Sequence, residues 1–136
     1  MTLHYLIDTD WAIHYLNGAQ PIVKRLSLLT DQGLALSLLS LAELYEGVYY
    51  STDPDRNEQH LRDFLRGITL IGMDEVTCRI FGRERGRLRK TGKIIGDLDL
   101  LIGATAVQFN LILLTNNRRH FEAIERLPIE SLSTQP

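Results

Sequence analysis

Two rhythms of apolar and polar residues alternate along this chain of 136 residues. Short continuous apolar runs are bounded by polar or glycine positions: Tyr5-Leu6-Ile7, Leu34-Ala35-Leu36-Ser37, Thr69-Leu70-Ile71 and 111–114. Such runs are too short for helices and predict buried strands, with a weaker last strand over 128–130. Between them, apolar residues recur every three or four positions. Thr9 or Asp10 caps a helix through Leu16, stopped by Asn17-Gly18. Pro21 suits a first helical turn, and Ile22, Leu26 and Leu29 form its stripe before Gly33. Leu41, Leu44, Tyr45 and Val48 predict a third helix, with Ser40 as its cap and Glu43 three residues on. After Ser51-Thr52-Asp53-Pro54, a fourth runs through Leu61, Phe64 and Leu65. Asp74 caps a basic helix in which Gly82 and Gly86 each cost about 1 kcal/mol relative to Ala, predicting a kink. A helix over 97–109 carries no charge after Asp99 and is expected to be buried on most sides. Thr115-Asn116-Asn117 turns into a short helix over 118–124.

Strand and helix alternating in this order predict an α/β fold: a three-layer α/β/α sandwich with a central parallel sheet, forming a single domain over 1–136. Composition agrees, with 44% apolar and 24% charged residues, ordinary for a globular protein and unlike a disordered one. The lone Cys78 excludes a disulfide framework and a cysteine-built zinc site, and is expected to be a small buried apolar residue. No apolar run nears the ~20 residues needed to span a bilayer, and Met1-Thr2-Leu3-His4 opens no secretory signal. The expected location is the cytoplasm.

Net charge is −2, but unevenly spread. From Arg79 to Lys93, seven basic residues face the single Glu84, so this segment carries +6 and the remainder −8. Arg79, Arg83, Arg87 and Lys90 fall on one helical stripe. That stripe is either a phosphate contact, weakening with salt, or a solvated helix face.

Three stretches far from one another set acids in or beside apolar sequence: Asp8 with Asp10, Glu43, and Asp97 with Asp99. A carboxylate in such surroundings is costly unless paired, hydrogen-bonded or bound to metal. Asp8 and Asn117 lie at or just past strand ends, where ligands of open parallel sheets bind. One shared acidic pocket is the economical inference. Oxygen donors favour a hard ion, Mg²⁺ or Mn²⁺, suited to phosphoryl transfer. The four histidines lack HExxH-type spacing, and no GxSxG, GxxxxGK[ST] or GxGxxG pattern is present. Duller readings remain: Asp8 as a helix cap, Glu43 in a capping box with Ser40, Asp97 as a cap or a group behind the ligands, and Asp10 and Glu46 as surface acids.

Leu6-Ile7-Asp8-Thr9, Ser40-Leu41-Ala42-Glu43-Leu44-Tyr45-Glu46-Gly47-Val48, Asp99-Leu100-Leu101-Ile102-Gly103-Ala104-Thr105-Ala106, and Leu113-Leu114-Thr115-Asn116-Asn117 with His120-Phe121 resemble the PIN-domain family, in the small form of the VapC toxins. The resemblance implies a magnesium-dependent endoribonuclease, Mn²⁺ being the alternative ion, held inactive by a cognate antitoxin. By position, Asp8, Glu43 and Asp99 become the catalytic and metal-binding acids, with Asp97, Thr115 and Asn117 behind them. Asn117 stands where many relatives place a fourth acid, which puts a second metal in doubt. Two rivals stay open: a haloacid-dehalogenase-type phosphatase using Asp8 and Asp10, and a PIN binding module without catalysis. Trp11, Tyr15, Tyr45, Tyr49 and Tyr50 are too many rings for one small monomer to bury, which predicts a homodimer with an apolar groove for an antitoxin segment.

Overall fold

A computed structural model describes residues 2–134. In chain order these form β1 (Tyr5–Ile7), α1 (Thr9–Leu16), α2 (Gln20–Leu29), a single 3-10 turn (Thr30–Gln32), β2 (Leu34–Ser37), α3 (Leu38–Tyr50) and α4 (Pro54–Leu65). There follow β3 (Thr69–Ile71), α5 (Glu75–Lys90), α6 (Asp97–Gln108), β4 (Ile112–Leu114), α7 (Arg118–Phe121) and β5 (Ile129–Glu130). The strands make one parallel sheet in the order β3-β2-β1-β4-β5. Tyr5 pairs with Leu34 on one side and Ile112 on the other, so β1 lies at the centre.

Successive strand residues point to opposite faces, and both faces are covered. Ile7, Leu36 and Leu114 pack with Trp11, Ile22, Leu26, Leu44, Val48, Leu61 and Phe64 from α1 to α4. Leu6, Ala35 and Leu113 pack with Leu88, Leu100, Ile102, Ala106 and Phe121 from α5 to α7. The result is the expected three-layer sandwich. Among the described residues no helix is long and apolar enough to cross a membrane.

Several local expectations are corrected. Ser37, not Ser40, caps α3: its hydroxyl oxygen accepts the Ser40 amide at 3.1 Å. β2 runs straight into α3, so Ser37 closes the strand and opens the helix. Glu43 is thereby too deep in α3 for a capping box. Asp74 does form one, with Thr77. α5 is one continuous helix through Gly82 and Gly86, held by the buried face of Thr77, Glu84 and Leu88. Cys78 lies off that face and is exposed. α7 ends at Phe121, short of the expected 124. Trp11 is wholly buried and Tyr15 packs on Phe64 with ring centroids 4.9 Å apart, so only Tyr49 and Tyr50 of the five rings are largely exposed.

The entry to the sheet depends on Gly33. It adopts φ +87°, and its carbonyl accepts the amides of His4 and Tyr5 at the start of β1. A Cβ there would fall 2.1 Å from the Thr2 carbonyl oxygen. Gly18 has a similar φ of +77° but open space around it. Gly18→Ala is therefore expected to cost about 1 kcal/mol, the left-handed backbone alone. Gly33→Ala adds a backbone clash and should exceed it by about 2 kcal/mol or more. Equal shifts in denaturant midpoint for the two variants would contradict this account.

Candidate active site

Because every strand is parallel, the residues after β1, β2 and β4 emerge at one edge of the sheet. α6 runs into β4 through a short turn, so its N-terminus opens at that same edge. Asp8 follows β1 directly and is 3% exposed. It occupies the cap position of α1, yet its side chain makes no capping bond. The carboxylate instead accepts the hydroxyl of Thr115, just past β4, at 2.8 Å on Oδ2. Thr115 is itself buried, and its Oγ1 accepts the Asn117 amide at 3.0 Å.

Asp10, expected at the surface, belongs to the same cluster. Its Oδ2 accepts the Asn116 amide at 2.9 Å, and its Oδ1 lies 3.2 Å from the Thr115 hydroxyl. Glu43 accepts the Thr9 hydroxyl at 2.7 Å, which ties α3 to the residue beside Asp8. Asp99, in the first turn of α6, sits 3.0 Å from Nδ1 of His120 on α7. Asp97 points outward: its side chain is 84% exposed and pairs with Arg85 at 2.6 Å. Asn117 contributes its amide to Thr115, and the residue is exposed.

Sequence reasoning thus missed the roles of Asp10, Asn116 and His120. The Asp8-Thr9-Asp10 spacing was the available signal for Asp10, but its partners lie some hundred residues away. Among the described residues, no three His, Cys, Asp or Glu side chains are gathered closely enough to cage a cation as they stand.

The basic stripe of α5 divides. Arg79 pairs with Glu75 at 2.9 Å on the surface. Arg87 pairs with the buried Glu84 at 2.6 Å and with Glu125 at 3.4 Å, and donates to the Ala123 carbonyl at 2.6 Å. Glu84 also accepts the Glu125 amide at 2.9 Å, so Arg87 fastens α5 to the segment before β5. Arg83 and Lys90 are exposed.

A family model described as PIN domain matches residues 5–127. The chain belongs to the PIN-domain family. Over 95% of its length, and 98% of the relative's, it is 33% identical to a protein named ribonuclease VapC2 from Haemophilus influenzae. It is 28% identical to the tRNA(fMet)-specific endonuclease VapC of Shigella flexneri, over 96% of this chain and 99% of that one. In structure it is similar to VapBC2 from Rickettsia felis, solved bound to a DNA fragment from the promoter, with a TM-score of 0.90, 31% identity, and 96% and 100% of the two chains covered. These matches, running nearly end to end, set aside the dehalogenase-type phosphatase.

Burial and a neighbouring charge set the ionisation of Asp8 in this PIN domain. Asp8 is pushed from 3.8 up to about 7, first by burial and then by the charge of Asp10. The Thr115 hydroxyl and Thr9 amide pull it the other way without prevailing. Two carboxylates, Asp8 and Asp10, thus crowd around one hydroxyl at the edge where the helices carrying Glu43 and Asp99 also open.

Folding raises the pKa of Asp8, so ionising it costs stability. Relative to a chain that cannot ionise there, stability is intact below 3.8 and is lost as pH rises toward 7. Asp8→Asn keeps an acceptor for Thr115 and carries no charge. In chelator at pH 8 it is expected to melt higher than the native chain, by the equivalent of a few kcal/mol, the gap closing as pH falls toward 4. Mn²⁺ should raise the melting temperature of the native chain and leave that of Asp8→Asn in place. Identical melting curves at every pH would contradict this.

Proposed function

We propose that the chain is a divalent-metal-dependent endoribonuclease, the toxin of a toxin–antitoxin pair. The observation that carries this reading is the buried Asp8 sharing Thr115 with Asp10 at the edge where Glu43 and Asp99 also emerge. The names of the relatives support the substrate class, RNA. Similarity to toxin–antitoxin assemblies from Rickettsia felis and Salmonella typhimurium supports the partner.

Asp8 and Asp99 would hold Mg²⁺, or Mn²⁺, with Glu43 completing the shell directly or through water. The bound ion would lower the pKa of water and neutralise charge on the phosphodiester. The Thr115 hydroxyl orients the Asp8 carboxylate, and His120 does the same for Asp99. Asn117 adds no charge, which favours one metal over two. Hydrolysis would form a bond from water oxygen to phosphorus while the bond from phosphorus to one ribose oxygen breaks, the water proton ending on that leaving oxygen. An apolar groove lined by Ile13, Leu16, Leu44, Val48 and His60, between α1, α3 and α4, suits an antitoxin segment. The stacked Tyr45 and Tyr49, with the exposed Tyr50, offer area for the proposed homodimer.

Asp8→Asn and Asp99→Asn are each expected to lower RNA cleavage by about 10²-fold or more with the fold intact, because even groups behind a ligand cost 10–100-fold. Asp97→Asn, which loses only an outward ion pair, should cost far less. Chelation should abolish cleavage and Mg²⁺ or Mn²⁺ restore it. Undiminished cleavage by folded Asp8→Asn would overturn the proposal. No cleavage by the native chain in any divalent ion would favour the binding-module reading.

If the stripe on α5 guides RNA, Arg83 and Lys90 do so. Replacing both with Ala should flatten the slope of log affinity against log salt by about 1.4 for a single strand. Arg87→Ala should instead show as lost thermal stability, since it strands the buried Glu84. An unchanged slope in the double variant would assign the stripe to solvent or the partner.

A further inference from the structure

Asp10 has no part in the reaction as set out above, yet both its carboxylate oxygens are engaged. They meet the turn after β4: Oδ2 accepts the Asn116 amide at 2.9 Å, and Oδ1 is 3.2 Å from the Thr115 hydroxyl. The Asn116 side chain anchors that turn from behind. Its Oδ1 accepts the Trp11 indole N–H at 3.0 Å and the Leu132 amide at 2.9 Å, while its Nδ2 donates to the Leu132 carbonyl at 2.7 Å. The Ser131 hydroxyl donates to the Thr115 carbonyl at 2.6 Å. α1, the turn after β4 and the segment after β5 therefore close on one point.

The Thr115 hydroxyl has a single proton. The Asn117 amide takes an acceptor site on its oxygen, which directs that proton toward the carboxylates. Asp8, at 2.8 Å, is nearer than Asp10, at 3.2 Å. Where the hydroxyl lies, and so which oxygen of Asp8 it occupies, depends on where the turn is held.

We propose that Asp10 is a positioning residue: by accepting the Asn116 amide it clamps the Thr115–Asn116 turn, so that the Thr115 hydroxyl is delivered to Asp8. It acts as a hydrogen-bond acceptor and does not hold the cation itself. The consequence for catalysis rests on the nuclease reading, but the clamp belongs to the metal-free fold. Asn at position 10 can accept the same amide; Ala cannot.

The test compares Asp10→Asn and Asp10→Ala with the native chain. In chelator, the readouts are emission of Trp11, the only tryptophan, and hydrogen exchange of the Asn116 amide. In Mn²⁺, the readout is the binding constant from the spin-resonance signal of the free ion. Asp10→Asn should keep native emission and amide protection. Asp10→Ala should shift the emission, speed Asn116 exchange by about tenfold or more, and bind Mn²⁺ about tenfold more weakly than Asp10→Asn, the scale for groups behind a ligand. Should Asp10→Ala not fold, Asp10→Ser, whose hydroxyl is one atom too short, takes its place. Native protection in Asp10→Ala, or equal loss of Mn²⁺ in both variants, would overturn the clamp. If the native chain binds no Mn²⁺, the nuclease reading fails, while emission and exchange still decide the clamp.

Discussion

A carboxylate buried at the end of the central strand is the constraint around which this molecule is arranged. β1 is flanked on both sides and covered on both faces, so whatever follows Ile7 starts from between two buried layers. Asp8 is that residue, and its burial would be prohibitive without a partner. The Thr115 hydroxyl and the Thr9 amide meet it. These neutral donors do not compensate fully, and burial and Asp10 push its pKa up. Among the described residues no cationic side chain offsets Asp8, and the helices carrying Glu43 and Asp99 open at the same edge.

The parallel sheet converts sequence distance into proximity. Asp8, the start of α3, the start of α6 and the turn after β4 are separated by dozens of residues, and the common strand direction brings them to one edge. Rigid elements hold the groups: Glu43 and Asp99 lie within helices, and Thr115 lies between β4 and a turn pinned by Leu132. The buried Glu84 with Arg87 and Glu125 performs a different task on α5, fastening a helix whose outer face is otherwise solvated. Buried acids therefore serve two purposes here. One is satisfied by a cation within the chain, and the other meets only neutral donors.

What could be read in advance follows from the range of each signal. The strands were legible because continuous apolar runs admit little else; acids in such runs are unusual, which made Asp8, Glu43 and the pair Asp97 and Asp99 candidates, and the family resemblance chose Asp99 from that pair. The cap of α3 was misplaced since Ser37 belongs to strand and helix at once, leaving no polar break to mark the boundary. Cys78 was misjudged because the tendency of cysteine to be buried says nothing of which side of α5 faces inward; Thr77, Glu84 and Leu88 define that side. Arg87 looked like one of a stripe, but Glu125 is brought to it only by the fold. Asp10 read as an ordinary first-turn acid, since its partners Thr115 and Asn116 arrive from the far end of the chain.

Asp8 and Asp99 are proposed to share one divalent ion. Diffraction from crystals grown with Mn²⁺, recorded at the manganese absorption edge, tests it most directly. A single anomalous peak touching carboxylate oxygens of both Asp8 and Asp99 is expected, with Asp10 still bonded to the Asn116 amide. No peak at that edge of the sheet, or one bound by Asp97 and solvent alone, would contradict it.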